Sequence, residues 1–321
     1  MLLGLADIED ARRSISNSVK KTPLLRSPFL SEHCGGEVYL KLENKQITNS
    51  FKIRGALNKI THLTAEEKAR GIIAASSGNH AQAVGVAADK LNLAAIVVVP
   101  EPTPKIKLNK IRQHRVELIV HGKQYDFAEQ YALKLAAERG LTFVSAYDDP
   151  LVVAGQGTVG LEIMEDLPTV DSIVVPVSGG SILSGIAVAA KSIKPQVEIL
   201  GAQPENVAAM YHCLKAGKII NIPMKPAIAE GLDGNIAEGC MTFPIIQKYV
   251  DEILLFNEDT LKNMIRLLWE KDGQVVEASG AVAIAPIVEM PNRFEGKRTI
   301  AVITGGNIDE SRFKSIVASG K

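Results

Sequence analysis

Residues 72–100 read IIAASSGNHAQAVGVAADKLNLAAIVVVP, and this stretch decides the predicted fold. A short apolar run is followed by a helical pattern of small residues, which leads into a β-rich run at residues 95–100. Two further cycles of helix and strand extend to residue 145. This regular alternation predicts a parallel sheet with helices on both faces.

A second series of alternating segments begins near residue 172. Strands are predicted over residues 172–177 and 298–303, and a helix over residues 182–192. The polar, Gly- and Pro-rich stretch 218–239 predicts a long loop over a binding site. The sequence therefore predicts an α/β protein with two open, twisted parallel sheets, whose ligand loops follow the carboxyl ends of the strands.

The overall composition limits the classes of partner. The chain has 321 residues, and 36 Lys and Arg balance 36 Asp and Glu, so the formal net charge is zero. Nucleic acid and anionic membranes favour basic surfaces, and we expect neither as a main partner. The N-terminus lacks a signal-peptide pattern, and the longest apolar runs are too short to span a bilayer. Three cysteines without metal or redox spacing are expected to be reduced, which favours a cytoplasmic protein.

Lys52 is the first candidate for chemistry. It stands between Phe51 and Ile53 at the start of a helix predicted over residues 51–60. A helix N-terminus and apolar neighbours both disfavour the ammonium form and leave a more nucleophilic amine. Taken alone, such a lysine would be expected on the exposed face of an amphipathic helix.

Three polar or glycine-rich runs each follow a predicted strand. Ser76-Ser77-Gly78-Asn79-His80 places hydroxyls, an amide and backbone N–H groups where ligands bind in open α/β folds. Ser178-Gly179-Gly180-Ser181 allows a turn whose N–H groups converge on an anion such as phosphate, although it matches neither Walker A nor GxGxxG. Thr304-Gly305-Gly306-Asn307 supplies a hydroxyl that could hydrogen-bond a ring nitrogen. The order of these runs after Lys52 is more specific than any one of them.

In this order the pieces resemble the serine/threonine dehydratase family of pyridoxal 5′-phosphate (PLP) enzymes of fold type II, which includes serine racemases. The resemblance extends from about residue 22 to Asn307, and Ser50-Phe51-Lys52-Ile53-Arg54-Gly55-Ala56 is among its most specific parts. It implies a fold similar to that of the tryptophan synthase β-chain. A large domain would comprise residues 1–66 and 147–321, a small domain residues 67–146, and the cofactor would lie in the cleft between them.

The resemblance implies a role for each matching residue. Lys52 would carry PLP as a Schiff base and act as the base on Cα–H, with Ser77 on the opposite face of the ring. The other cofactor contacts would be Phe51 against the ring, Asn79 at the 3′-oxygen, Ser178, Gly179, Gly180, Ser181 and Ile182 at the phosphate, Thr304 at the ring nitrogen, and Gly231 and Glu277 beside the cofactor. The substrate carboxylate would be held by Ser76, Ser77, Gly78 and His80.

The implied activity is β-elimination of water from L-threonine or L-serine, which gives a 2-oxo acid and ammonia. A neutral hydroxyl at Thr304 cannot hold the ring nitrogen protonated, so the cofactor is a weaker electron sink and loss of the β-hydroxyl is favoured over transamination. A serine racemase or a bifunctional enzyme stays open, because Ser77 could supply an acid on the second face. A 3-hydroxyaspartate dehydratase and a non-catalytic amino-acid-binding regulator are further alternatives. A small hydroxy amino acid is the expected partner, in a homo-oligomer such as a dimer or tetramer.

The phosphate loop and the turn before Lys52 depart from the family pattern. Ser178 and Ser181 flank two glycines where the family loop is nearly all glycine. We therefore expect Gly179 or Gly180 to take any positive φ. Asn49 stands where the family usually has glycine, and asparagine tolerates the left-handed region better than most residues.

A third departure concerns metal. Members that are activated by divalent cations carry carboxylates after the strand that ends near residue 202. Gln203 and Ala209 stand at those positions here. Hard divalent cations prefer carboxylate ligands, so we expect no metal site of that type.

Overall fold

The computed structural model describes residues 3–318, which form two sheets. The strands are β1 (Leu24–Arg26), β2 (Glu37–Leu42), β3 (Ile72–Ala75), β4 (Ala95–Val99), β5 (Val116–Val120), β6 (Thr142–Phe143), β7 (Ser172–Pro176), β8 (Glu198–Pro204), β9 (Glu252–Phe256) and β10 (Arg298–Ile303). The larger sheet has the order β1-β2-β10-β7-β8-β9, and the smaller has the order β5-β4-β3-β6.

Helices cover both sheets and connect their strands. The α-helices are α1 (Leu5–Ile15), α2 (Pro28–Cys34), α3 (Lys52–Thr61), α4 (Ala65–Arg70), α5 (Asn79–Leu91), α6 (Lys105–Ile111), α7 (Tyr125–Arg139), α8 (Pro150–Asp166), α9 (Ser181–Ile193), α10 (Ala209–Ala216), α11 (Thr242–Tyr249), α12 (Leu261–Asp272), α13 (Ala278–Ala281), α14 (Ala285–Glu289) and α15 (Glu310–Ala318). Short 3-10 turns lie at Glu43–Lys45, Glu205–Val207, Glu230–Leu232, Glu258–Thr260, Val282–Ile284 and Pro291–Arg293.

The predicted α/β architecture with parallel sheets is confirmed, with one exception at an edge. All strand pairs of the smaller sheet are parallel. In the larger sheet the three-residue strand β1 runs antiparallel to β2, with Leu24 opposite Lys41, and the other pairs are parallel. The strands of the smaller sheet lie between residues 72 and 143. The division into domains at residues 66 and 146 stays a prediction.

Helix α8 lies between α3 and α9 at very close range. A Cβ atom at Gly155 of α8 would lie 2.5 Å from the carbonyl oxygen of Arg54 on α3. A Cβ atom at Gly185 of α9 would lie 2.5 Å from the backbone nitrogen of Gly157 on α8. Only hydrogen fits at these positions, so the three helices pack backbone against backbone.

A group of charged side chains is buried where β2, α3 and α8 meet, and we call it the buried charge cluster: Lys41, Glu43, Arg54 and Glu162. Arg54 Nη2 lies 2.8 Å from Glu43 Oε1, and its Nη1 lies 2.6 Å from Glu162 Oε1. Lys41 Nζ lies 2.6 Å from Glu162 Oε2. Each charge therefore has an opposite charge at hydrogen-bond distance, which offsets the cost of its burial.

Two helical segments differ from what their sequence patterns predict. The sequence of residues 278–290 predicts one continuous helix, but the structure has α13, a 3-10 turn and α14 there. Pro286 stands at the start of α14, where its missing N–H costs nothing. The sequence of residues 259–271 predicts an amphipathic helix with Leu268 and Trp269 on its apolar stripe. Leu268 is buried, whereas Trp269 is 41% exposed and its ring packs edge-on against Phe313. No helix within residues 3–318 has the length and apolar character needed to cross a membrane.

Candidate functional site

A cleft of about 1450 Å³ lies at the carboxyl ends of strands from both sheets. The predicted loop over residues 218–239 contributes much of its wall. All fifteen residues that the sequence predicted for the site line this cleft: Phe51, Lys52, Ser76, Ser77, Gly78, Asn79, His80, Ser178, Gly179, Gly180, Ser181, Ile182, Gly231, Glu277 and Thr304. Their roles toward a cofactor or a substrate stay predictions.

Lys52 is the first residue of α3, and its side chain is half-buried in the cleft. The Nζ atom donates a hydrogen bond to the backbone carbonyl of Ala146 at 2.6 Å and lies 5.0 Å from the centre of the Phe51 ring. Burial alone lowers the pKa of Lys52 to about 8. Near neutral pH Lys52 is therefore deprotonated in a fraction of the molecules. The free amine is the nucleophilic form.

The loop at residues 178–180 ends β7 and leads directly into α9. Gly180 has φ of 88°, so the expectation that one of the two glycines takes a positive φ is confirmed. The first backbone N–H groups of α9 have no acceptor within the helix, and the helix dipole points its positive end at the same place. This loop is therefore suited to an anion such as a phosphate group.

An aromatic and a hydroxyl side chain contact the loop at residues 178–180. A Cβ atom at Gly179 would lie 2.4 Å from Cγ of the Tyr147 ring, so the ring packs directly on the glycine. Thr242 Oγ1 donates to the carbonyl of Gly179 at 2.7 Å. No local pattern in the sequence indicates a role for Tyr147, which follows the two-residue strand β6. Its part in the site depends on the tertiary fold.

The turn before Lys52 takes the conformation that its sequence allows. Asn49 has φ of 52°, which confirms that asparagine serves at this left-handed position. The backbone N–H of Phe51 donates to the carbonyl of Thr304 at 3.1 Å, and the N–H of Gly306 donates to the carbonyl of Asn49 at 2.8 Å. The run 304–307 and the start of α3 are therefore joined by backbone hydrogen bonds.

His80 is buried, and its ring is neutral. Nε2 lies 2.8 Å from the carbonyl of Val144, which requires Nε2 to carry the proton. Burial, together with the charge of Lys52, lowers the pKa of His80 to about 3. Nδ1 has no partner among the residues that the structure describes. His80 is therefore a neutral ring whose Nδ1 lone pair is buried and unpaired, and it brings no positive charge to the cleft.

Glu277 and Asn79 meet on one wall of the cleft. Asn79 Nδ2 donates to Glu277 Oε1 at 2.5 Å, and burial raises the pKa of Glu277. Gly231 lies nearby, with its N–H donating to Ser279 Oγ at 3.0 Å. Asn307, quoted in the sequence run but given no role there, donates from Nδ2 to Asn79 Oδ1 at 2.7 Å.

Thr304 directly follows β10 and lines the cleft with a neutral hydroxyl. Oγ1 donates to the carbonyl of Ser279 at 3.2 Å, which is long for a hydroxyl hydrogen bond. A bond of that length is readily exchanged for one to a ligand. The side chain is 4% exposed, so such a ligand bond would form away from water.

Ion pairs join the two sides of the cleft at its mouth. Glu230 lies 2.8 Å from Lys107 Nζ of α6 on one side and 2.8 Å from Arg312 Nη1 of α15 on the other. Nothing in the sequence around residue 230 indicated these pairs, because the three residues are far apart in the chain.

No group of His, Cys, Asp or Glu side chains within residues 3–318 is arranged to hold a metal ion. Gln203, at the position where a carboxylate would be needed, is buried and accepts a hydrogen bond from the N–H of Tyr211 at 3.1 Å. Ala209 is the first residue of α10.

The groups around the cleft fit PLP. A desolvated lysine amine is available at Lys52, a glycine loop at a helix N-terminus suits the phosphate, and Thr304 offers a hydroxyl for the ring nitrogen. At Gly305 a Cβ atom would lie 2.1 Å from Glu277 Oε1, so the wall beside the ring position has no room for a larger residue.

Comparisons with known proteins agree with this geometry. The profile of the family described as "Pyridoxal-phosphate dependent enzyme" matches residues 15–305. The L-threonine ammonia-lyase of Thermotoga maritima is 44% identical over 99% of this chain and 79% of that protein. The catabolic L-threonine dehydratase TdcB of Escherichia coli K12 is 39% identical over 98% of this chain and 96% of that protein.

Solved structures show the same fold. Maize serine racemase superposes with a TM-score of 0.93 at 30% identity, covering 99% of this chain and 98% of the maize chain. Threonine deaminase isoform 2 from Solanum lycopersicum superposes with a TM-score of 0.92 at 32% identity, covering 100% of this chain and 90% of the tomato chain.

Proposed function

Because the chain belongs to the pyridoxal-phosphate dependent enzyme family, we propose that it is an ammonia-lyase acting on L-threonine, L-serine or both. The reaction removes water by β-elimination, and the enamine product hydrolyses to a 2-oxo acid and ammonia. The relatives in Thermotoga maritima and Escherichia coli carry this activity in their names and match nearly the whole chain.

The neutral hydroxyl of Thr304 is the observation that favours β-elimination over transamination. A carboxylate at this position would keep the ring nitrogen of the cofactor protonated, whereas a threonine hydroxyl with pKa far above neutrality cannot. The bound cofactor withdraws electrons from Cα of the amino acid, and this pull is weaker when the ring nitrogen is neutral. A weaker pull favours loss of the β-hydroxyl over transamination.

Lys52, the loop at 178–182, Asn79 and Thr304 would hold the cofactor. Lys52 Nζ would form the covalent bond, and the amides at the start of α9 would bind the phosphate. Phe51 would pack on the ring, with Gly231 and Glu277 beside it. Each of these residues lines the cleft.

The same cleft supplies the groups that would bind the substrate and move its protons. The hydroxyls of Ser76 and Ser77 and the N–H groups at the start of α5 would bind the carboxylate, because a helix N-terminus favours anions. Neutral His80 would orient this run through its bond to Val144. Once the amino group of the substrate has displaced Lys52 from the cofactor, the released amine of Lys52 would accept the proton from Cα, since a pKa of about 8 suits a general base near neutral pH.

The test is product analysis of the purified enzyme supplied with PLP. We expect L-threonine or L-serine to give ammonia and the corresponding 2-oxo acid in equal amounts, with Lys52→Ala inactive. A substrate panel that includes 3-hydroxyaspartate identifies the preferred amino acid. Absence of a 2-oxo acid with every hydroxy amino acid would contradict the proposal.

Serine racemisation is the second candidate activity, because Ser77 lines the cleft and the maize serine racemase has the same fold. A hydroxyl on the face opposite Lys52 could return a proton to Cα from the other side. D-serine measured beside pyruvate in the L-serine reaction decides between a lyase, a racemase and a bifunctional enzyme. Ser77→Ala should abolish D-serine formation and leave part of the elimination if both activities are present.

An amino acid is the substrate class of these enzymes. We further propose that the protein is cytoplasmic and forms a homo-oligomer, a dimer or a tetramer. Light scattering coupled to size-exclusion chromatography tests the assembly, and a monomer at micromolar concentration would contradict it.

A further inference from the structure

Two asparagine side chains form a continuous chain of hydrogen bonds along the wall of the cleft. Asn307 Nδ2 donates to the backbone carbonyl of Thr48 at 2.8 Å and to Asn79 Oδ1 at 2.7 Å. Asn79 Nδ2 donates to Glu277 Oε1 at 2.5 Å. The chain therefore runs from Thr48 through both amides to Glu277.

The ends of this chain determine its direction. A backbone carbonyl only accepts hydrogen bonds, so the nitrogen of Asn307 must face Thr48. Both hydrogens of that nitrogen are then used, one on Thr48 and one on Asn79. Asn79 must meet this donor with its oxygen, which turns its own nitrogen toward Glu277. Glu277 is an acceptor as well, so both ends require the same orientation of the two amides.

The orientation leaves one group of Asn79 for the cleft. Its oxygen is occupied by Asn307, and one hydrogen of Nδ2 is occupied by Glu277. The second hydrogen of Nδ2 is available, and Asn79 lines the cleft. With the opposite orientation, the amide would present a lone pair in place of this hydrogen.

The chain also joins the two sheets. Asn79 begins α5, which follows β3 of the smaller sheet, whereas Asn307 and Glu277 lie beside the end of β10 in the larger sheet. Gly305 allows this approach, because a Cβ atom there would lie 3.2 Å from Asn79 Nδ2 and 2.1 Å from Glu277 Oε1. Asn79 is therefore oriented by residues of the other sheet on both sides.

We propose that Asn307 is a positioning residue that fixes the amide of Asn79, so that Asn79 presents an N–H and not a carbonyl oxygen to the cofactor. The proposal rests on the cofactor of the family and not on the substrate proposed above. The experiment measures the absorbance and the affinity of the bound cofactor without any substrate. Its result therefore does not depend on which amino acid the enzyme uses.

Asn307→Asp keeps the shape of the side chain and removes both donors. A carboxylate at this position would repel the oxygen of Asn79 and attract its nitrogen, which turns the Asn79 oxygen toward the cleft. An N–H stabilises a deprotonated ring oxygen on the cofactor, whereas a carbonyl destabilises it. We expect the pH midpoint of the cofactor's absorbance change to rise by about one unit or more, and cofactor affinity to fall roughly tenfold.

Three further variants make the result specific. Asn307→Ala, which introduces no charge, should shift the midpoint in the same direction by less, and it serves if the aspartate variant does not fold. Asn109→Asp adds the same charge at an exposed position and should shift nothing. In Asn79→Ala the second change Asn307→Asp should add no further shift, because Asn307 acts through Asn79.

Two outcomes would overturn the proposal. An unchanged absorbance midpoint in a folded, cofactor-bound Asn307→Asp or Asn307→Ala protein would mean that Asn79 keeps its orientation without Asn307. A full additional shift from Asn307→Asp in the Asn79→Ala background would mean that the charge acts directly on the cofactor. If such an unchanged midpoint came with a loss of folding stability, Asn307 would have a purely structural role.

Discussion

Arg54 and Lys52 lie two positions apart on α3 and face opposite surroundings. Arg54 belongs to the buried charge cluster, where Glu43 and Glu162 contact its guanidinium. Although burial alone would lower the pKa of Arg54, the two carboxylates raise it above its usual value. Lys52 has a backbone carbonyl and an aromatic ring as neighbours, and burial lowers its pKa to about 8.

The difference shows that carboxylate partners, and not burial, separate a structural cation from a reactive one. A buried cation paired with carboxylates keeps its proton and joins elements of the fold. A desolvated amine without such a partner gives up its proton at moderate pH and can form a covalent bond. The same turn of helix therefore contributes to the stability of the fold on one side and to its chemistry on the other.

Replacing Lys52 should produce the largest effect. Lys52→Ala removes both the proposed covalent anchor and the proposed base, so we expect the rate of 2-oxo acid formation to fall at least about 1,000-fold. The free energy of unfolding should stay the same or rise, because an unpaired cation leaves the interior. Turnover and urea unfolding of the two proteins provide the measurement.

Lys59 is the matched control for this change. It lies on the same helix but forms an ion pair with Asp149 at 2.7 Å. Lys59→Ala should lower the free energy of unfolding slightly and retain turnover. If the two lysine variants behaved alike, the distinction between paired and unpaired cations would fail.

Breaking the buried charge cluster should lower stability by a large amount. Arg54→Met leaves Glu43 without an opposite charge and Glu162 with Lys41 alone, and we expect the free energy of unfolding to fall by about 3–5 kcal/mol. Arg54→Lys, which restores the charge but not the paired geometry, should recover part of this loss. Denaturant unfolding measures both variants, and a loss below about 1 kcal/mol for Arg54→Met would contradict the structural role of the cluster.

The stability of the cofactor-free protein should depend on pH through Lys52. Between pH 8 and 10.5 the unfolded lysine still holds a proton that the folded one has released, so the free energy of unfolding rises with pH in this window. The gain is at most about 3 kcal/mol. It is measured as the difference between the wild-type protein and Lys52→Met, which lacks the titrating group. A difference that stays constant or falls with pH would show that the amine is not desolvated.

Gly180→Ala should give the smallest of these effects. A positive φ costs an alanine about 1–2 kcal/mol. The new Cβ would also lie 2.5 Å from Ile246 Cδ1. We expect a stability loss of this size together with weaker binding of the cofactor. Gly217→Ala, with φ of 68° and nothing within 4 Å of the new atom, should lose similar stability and keep its cofactor affinity.

The sequence was sufficient for the parts of the fold and site that depend on local patterns. Alternating apolar runs predicted strands such as β10 at its observed bounds. The runs at 178–182 and 304–307 come together because the carboxyl ends of parallel strands share one edge of the larger sheet, and the run at 76–80 faces them from the carboxyl end of a strand in the smaller sheet. Gly180 and Asn49 took their positive φ values because few other residue types do so at low cost.

Features that depend on tertiary contact were missed for a physical reason. Helix α8 was not predicted as a helix, since three glycines lower its local propensity and only its packing against α3 and α9 makes them favourable. Tyr147 and the ion pairs of Glu230 involve residues distant in the chain. The role of Asn307 required knowing which atoms accept on either side of it.

The close packing of α3, α8 and α9 has a consequence for how ligands leave the enzyme. Lys52 begins α3 and the loop at 178–180 leads into α9, and α8 packs against both helices through backbone contacts at its glycines. The run Ser76–His80 lies on the other sheet. If the sheets move apart, the contacts between the run 76–80 and a bound amino acid are lost. The distance between Lys52 and the loop at 178–180, which would hold the two ends of the cofactor, stays the same. Small molecules can then be exchanged many times while the prosthetic group stays resident.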